Sequence, residues 1–86
     1  MINKIRTLAE QTGINLLFIK RINNGAFIVM IDTGKKLFGK DEYVIGTMYA
    51  NDVNYSITNN KIVWSNGNYV TSSKEAMKTF SELTGE

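Results

Sequence analysis

Lysines at 35, 36 and 40 and a phenylalanine at 38 crowd one segment, Gly34-Lys35-Lys36-Leu37-Phe38-Gly39-Lys40-Asp41. Its spacing comes within one residue of the phosphate-binding pattern G-x-x-x-x-G-K-[ST], in which backbone amides cradle phosphate and the hydroxyl holds magnesium. Here Asp41 stands where the hydroxyl is needed, and a carboxylate at that point repels phosphate. The pattern also needs a helix directly after the loop, its N-terminus facing the anion, whereas Tyr43-Val44-Ile45 reads as strand. A chain of 86 residues is too short for the usual nucleotide-binding sheet. No cofactor is expected.

The same side chains suit a nucleic-acid backbone better than a nucleotide. Lys35, Lys36 and Lys40, joined by Lys20 and Arg21, would neutralise phosphates while Phe38 stacks on a base. The plainer alternative is a solvated loop with Leu37 or Phe38 tucked into the core. Between Lys20 and Lys40 five basic residues face one acid, Asp32, yet the whole chain carries only +2. That net charge is too small to imply a nucleic-acid partner, and it argues against an acidic mimic of DNA.

A second set of residues points to protein binding. Tyr43, Tyr49, Tyr55, Trp64 and Tyr69 are interleaved with asparagines and serines, and between Tyr43 and Ser73 the only charges are Asp52 and Lys61. Aromatic rings, Asn and Ser supply rigid contact area and adaptable hydrogen bonding, which is why recognition surfaces use them. The alternative is that these rings are half of the core, since strands favour aromatics whatever their function. Catalysis has little to stand on. The chain has neither histidine nor cysteine, so the commonest proton shuttle and the thiol nucleophile are missing. Asp32, Asp41 and Glu42 are the only acids close enough in sequence to pair, and no D-x-D-x-D spacing suggests a metal. We expect no enzyme activity.

The elements that must position these side chains are set around a hairpin, Ile14 to Asp32. Two apolar runs, Leu16–Ile19 and Phe27–Ile31, flank Asn24-Gly25, which favours a two-residue type I′ turn. That turn pairs Ile22 with Phe27, Lys20 with Val29 and Phe18 with Ile31. Leu16, Phe18, Ile22, Phe27, Val29 and Ile31 then share one apolar face. The opposite face carries Leu17, Ile19, Arg21, Ile28, Met30 and Asp32, only partly polar where a half-exposed strand shows a polar outer face. Either more of this chain, or a second subunit (as in a homodimer) or partner, covers it, or its Arg21 and Asp32 ends sit at a wet rim.

Around the hairpin, Ile2, Ile5, Leu8 and Ala9 recur at helical spacing over about residues 2–12, with Gly13 as terminator. Residues 33–41 read as a loop. A strand over 42–50, a turn at Asn51-Asp52, a strand over 53–58, a turn at Asn59-Asn60, then short strands at 61–64 and 68–71 about Asn66-Gly67 make a meander. In it Tyr55 pairs with Trp64 and Trp64 with Tyr69, a cross-strand aromatic row. Ser72 and Glu75 form a capping-box pattern ahead of a last helix with Ala76, Met77, Phe80 and Leu83 in a stripe.

The expected fold is a single α+β domain over 1–86: a twisted antiparallel sheet of about five or six strands flanked by an N-terminal and a C-terminal helix, the helices on one face. No apolar run is long enough to cross a membrane, no signal-peptide pattern opens the chain, and a cysteine-free chain is compatible with a reducing cytoplasm. The expected function is a non-enzymatic protein-binding module, in the size class of phage-type inhibitors or accessory factors such as anti-restriction and anti-CRISPR proteins. The alternative is a small nucleic-acid-binding protein using the basic hairpin and loop.

Overall fold

The computed structural model describes residues 1–85. In chain order these form α1 (Ile2–Thr12), β1 (Asn15–Arg21), β2 (Phe27–Leu37), β3 (Lys40–Met48), α2 (Ala50–Asn59), β4 (Asn66–Val70) and α3 (Ser73–Thr84). The strands make one antiparallel sheet in the order β1-β2-β3-β4. The fold is α+β with an N-terminal and a C-terminal helix, as expected. It has four strands and a third helix, and the helices lie on both faces of the sheet.

Hydrophobic periodicity explains the layers. Ile5 and Leu8 of α1 and Val53 of α2 pack on Phe27, Val29, Ile31 and Met48, the side chains of alternate positions in β2 and β3. Ala76 and Phe80 of α3, one turn apart, cover the other face at Ile28, Met30 and Ile45. Five consecutive residues of β2, Phe27–Ile31, and five of β3, Val44–Met48, are therefore buried. The second apolar face of the hairpin is thus covered by this chain's own α3. Burying side chains of roughly 1.5–3 kcal/mol each on both faces gives two small cores sharing one sheet.

The register of the first hairpin differs by one residue from the sequence expectation. Arg21 pairs with Phe27, Ile19 with Val29 and Phe18 with Met30. The turn holds three residues, not two: Ile22 N–H donates to Ala26 O (2.9 Å), and Gly25 N–H to Ile22 O (2.9 Å). Gly25 alone takes positive φ there (+82°), and Asn24 Oδ1 accepts from Ala26 N–H (3.0 Å). This is a turn followed by a left-handed glycine, which needs one positive φ where type I′ needs two. The one-residue shift turns Phe18 and Ile22 to the face of α3; the Phe18 and Phe80 rings lie 5.8 Å apart. A bulge between Leu16 and Phe18 returns Leu16 to the face of α1.

The span expected as a strand over 53–58 is helical. Its Val53/Tyr55/Ile57 alternation imitates a strand, but Val53 and Ser56, three apart, are the buried pair and Tyr55 and Ile57 face water. Asn51-Asp52 opens the helix: Asp52 Oδ2 accepts from Tyr49 N–H (2.8 Å), satisfying an unpaired donor at the N-terminus. Asn60 closes it with φ +54°. Ser56, fully buried, donates to Asp52 O (2.7 Å) and accepts from Val63 N–H (3.0 Å). Ser65 Oγ also donates to Asp52 Oδ2 (2.6 Å). The 61–65 segment is pinned as irregular chain, not as the short strand expected over 61–64.

Candidate functional site

The residues expected to form a loop at 33–41 instead prolong the sheet. β2 continues through Leu37, β3 begins at Lys40, and Leu37 pairs with Lys40. Burial ends at Ile31 on β2 and begins at Val44 on β3, so the hairpin projects beyond both cores.

Local chemistry keeps this projection ordered. Between the pairs Asp32–Tyr43 and Lys36–Asp41, β2 has three residues where β3 has one. Gly34 absorbs the excess with φ +76°. Asp32 Oδ1 accepts from Gly34 N–H (3.0 Å), and Thr33 Oγ1 accepts from Lys35 N–H (3.2 Å) while donating to Glu42 Oε1 (3.0 Å). Nearer the tip, Lys36 and Asp41 form a directly opposed ion pair. The hydrogen bond and charge of Asp41 raise the Lys36 pKa above its ordinary value.

At the tip Phe38 and Gly39 both have positive φ, +54° and +77°. This is the two-positive-φ turn expected at Asn24-Gly25, placed instead at a position where one member is aromatic. Phe38 is 92% exposed. For a residue with a Cβ the left-handed region costs roughly 1–2 kcal/mol, and burial repays none of it.

The five basic residues do not form one patch. Lys35, Lys36 and Lys40 lie on the hairpin. Lys20 and Arg21 end β1, where Arg21 pairs with Phe27. On β3 the partners of Phe27 and Leu37, Met48 and Lys40, stand eight positions apart, about 26 Å at roughly 3.3 Å per residue. On the hairpin itself Lys35, Lys36 and Lys40 are balanced by Asp32, Asp41 and Glu42.

Nor do the aromatic residues form the expected row. Tyr55 is on a helix and Trp64 is in no strand, so neither can be a cross-strand neighbour of the other. Tyr43 is half-buried in the core beneath α3. Tyr49 flanks the start of α2 in solvent, and Tyr55 is exposed with Lys61 Nζ 5.9 Å from its ring centroid. Only Trp64 and Tyr69 come together, on the face of α1 and α2. The Trp64 indole lies on the paired glycines Gly46 and Gly67, where an added Cβ would stand 3.0 Å and 2.6 Å from it. With Ile14, Thr33 and Glu42 the two rings line a depression of about 260 Å³ at the root of the hairpin.

Phe38 stands out in the sequence as a stacking residue, whereas the features that present it emerge only in the fold. The signals were Leu-Phe-Gly-Lys, an x-Gly dipeptide between strand-forming residues, and Lys36 and Asp41 at opposed positions. The Gly46–Gly67 seat for Trp64 depends on pairing across an intervening helix and left no local signal. Among the described residues no group of three or more His, Cys, Asp or Glu could hold a metal ion, and no helix is long and apolar enough to cross a membrane. Comparison of the chain with protein-family models, curated proteins and solved structures finds no match.

Proposed function

We propose that this protein is a non-enzymatic protein-binding module whose contact element is the β2–β3 hairpin and whose anchor is Phe38. One observation carries the reading: a bulky aromatic side chain held almost wholly in solvent, on a backbone conformation that costs energy to adopt. Folding gains nothing from this arrangement, and strained positions of this kind concentrate where a chain engages a ligand or partner. Aromatic side chains that enter a partner's pocket dominate interface energetics. A hairpin already braced by the Lys36–Asp41 pair and the Thr33–Glu42 bond gives up little freedom on docking.

The hairpin's charge favours a protein over a nucleic acid. Phosphate binding draws its energy from lysines and arginines that displace counterions. Here Lys36 is already tied to Asp41, and three acids offset the three lysines. In this reading the protein works as an inhibitor or accessory factor that occupies a cleft on its partner, with Tyr69 at the hairpin root as a flanking contact.

The test is affinity capture from bacterial lysate with the tagged wild type and Phe38→Ala, each with and without nuclease. One defined protein recovered equally in both nuclease arms by wild type and lost with Phe38→Ala supports the reading. Capture abolished by nuclease transfers the assignment to nucleic acid.

A further inference from the structure

The two edges of the sheet are treated differently. The β1 edge carries the devices that keep strands from pairing with other chains: a bulge between Leu16 and Phe18, and the charges of Lys20 and Arg21. The β4 edge carries none. Asn66-Gly67-Asn68-Tyr69-Val70 has no charge and no proline, and nothing charged occurs from Ile62 to Ser73. Asn66 to Tyr69 are all exposed. β4 pairs with β3 alone, so its outer backbone groups have no strand partner.

We propose that β4 pairs antiparallel with β4 of a second copy of this chain, about a two-fold axis at Asn68, so that the two four-stranded sheets become one of eight strands. The sequence of the strand is complementary to itself in that register. Asn68 meets its own symmetry mate, Gly67 meets Tyr69, and Asn66 meets Val70. Opposing a glycine with an aromatic residue is a recognised way of stabilising strand pairs that contain glycine. The Tyr69 ring leans back over its own Gly67, with Cε2 3.3 Å from where a Cβ would be. The two-fold therefore sets the two Tyr69 rings side by side on the axis, each beside the Trp64 indole that already lies on Gly67. Gly67 and Tyr69 exchange N–H···O=C bonds with their mates across the edge. An uncharged strand meets its copy with no like charges opposed, whereas β1 would bring the cations of two copies to the same interface. The interface is isologous, so it closes at two copies and builds no fibre. A single five-residue strand pair is at the low end of interface sizes, so the dimer forms at roughly micromolar concentration and above.

The experiment is sedimentation of the full chain over a concentration series spanning about 1 µM to 1 mM, which brackets a weak interface. Wild type should pass from monomer to dimer across it. Asn68→Lys and Asn68→Glu, each placing like charges on the two-fold axis, should remain monomeric alone while an equimolar mixture of the two recovers the dimer. Leu17→Lys, on the opposite edge, should leave the dimer unchanged. A wild type that stays monomeric throughout overturns the proposal. So does a dimer that survives both Asn68 variants or is broken by Leu17→Lys. Circular dichroism of each variant checks that the fold is retained, and recovery in the Lys/Glu mixture requires that both variants are folded.

Discussion

The sheet reverses at two tight turns, and they are built on opposite terms. At Asn23-Asn24-Gly25 the only left-handed residue is a glycine, the asparagine side chain satisfies Ala26 N–H, and the flanking Ala26 is buried. Local preference and tertiary packing agree there. At Phe38-Gly39 a bulky residue occupies the left-handed region, its side chain touches water, and the turn lies beyond the last buried residue of either strand. Local preference is overruled and the core does not compensate. In a small chain, where about one kilocalorie per mole is a large share of total stability, the contrast separates a turn that serves folding from one retained for another purpose.

This contrast can be broken most decisively at its functional end. Phe38→Ala should weaken capture of the partner by about 2–3 kcal/mol, roughly 30- to 150-fold in affinity, as for a central aromatic anchor. If titration shows affinity unchanged, the second turn has no privileged role. The next effects concern stability and have opposite signs at the two turns. Gly25→Ala should destabilise by roughly 1–2 kcal/mol, because the new Cβ must enter the left-handed region. Phe38→Asn, substituting a residue that tolerates the same region, should stabilise by up to about 1 kcal/mol. Urea unfolding followed by circular dichroism measures both, and equal signs would erase the distinction. Smaller still, Asn24→Ala removes the acceptor for Ala26 N–H and should cost about 0.5–1 kcal/mol.

The smallest expected effect is electrostatic. The folded-state Lys36 pKa is raised by Asp41, so the pair's contribution is complete below the ordinary lysine pKa and is lost as pH rises through the Lys36 value in the folded chain. Thermal melts of wild type and Lys36→Met should therefore differ slightly at neutral pH and converge in alkaline solution. Added salt should narrow the neutral gap, since both side chains are exposed. A gap that widens with alkali would reverse the assigned sign.

What could be read in advance follows from the range of the forces involved. The span of α1, the Gly13 terminator, and the cap in which Ser72 Oγ accepts from Glu75 N–H (3.1 Å) are local, and each stands where the sequence places it. The first hairpin was legible in its existence but not its register. The choice between two- and three-residue turns rests on whether Ala26 pairs with Ile22, and hence on which side chains α3 will receive. For α2 the local signal was misleading, because Val53, Tyr55 and Ile57 alternate as a strand would. Only the Asp52 and Ser56 hydrogen bonds and the burial of Val53 against α1 and β2 decide for helix. At the candidate site the residue is legible and its setting is not: a turn with phenylalanine in the left-handed region goes against propensity, and Lys36 and Asp41 are opposed only once that turn is placed.

The seat of Trp64 sets an order of assembly. β1, β2 and β3 follow one another through short turns, so their contacts close small loops quickly. β4 can join β3 only after the chain has passed through α2, and the indole can settle only once Gly46 and Gly67 have come side by side. Because Trp64 is the sole tryptophan, its fluorescence is a clock for the closure of β4 on β3: the three-strand meander should form before that signal changes, and the last strand should arrive with it.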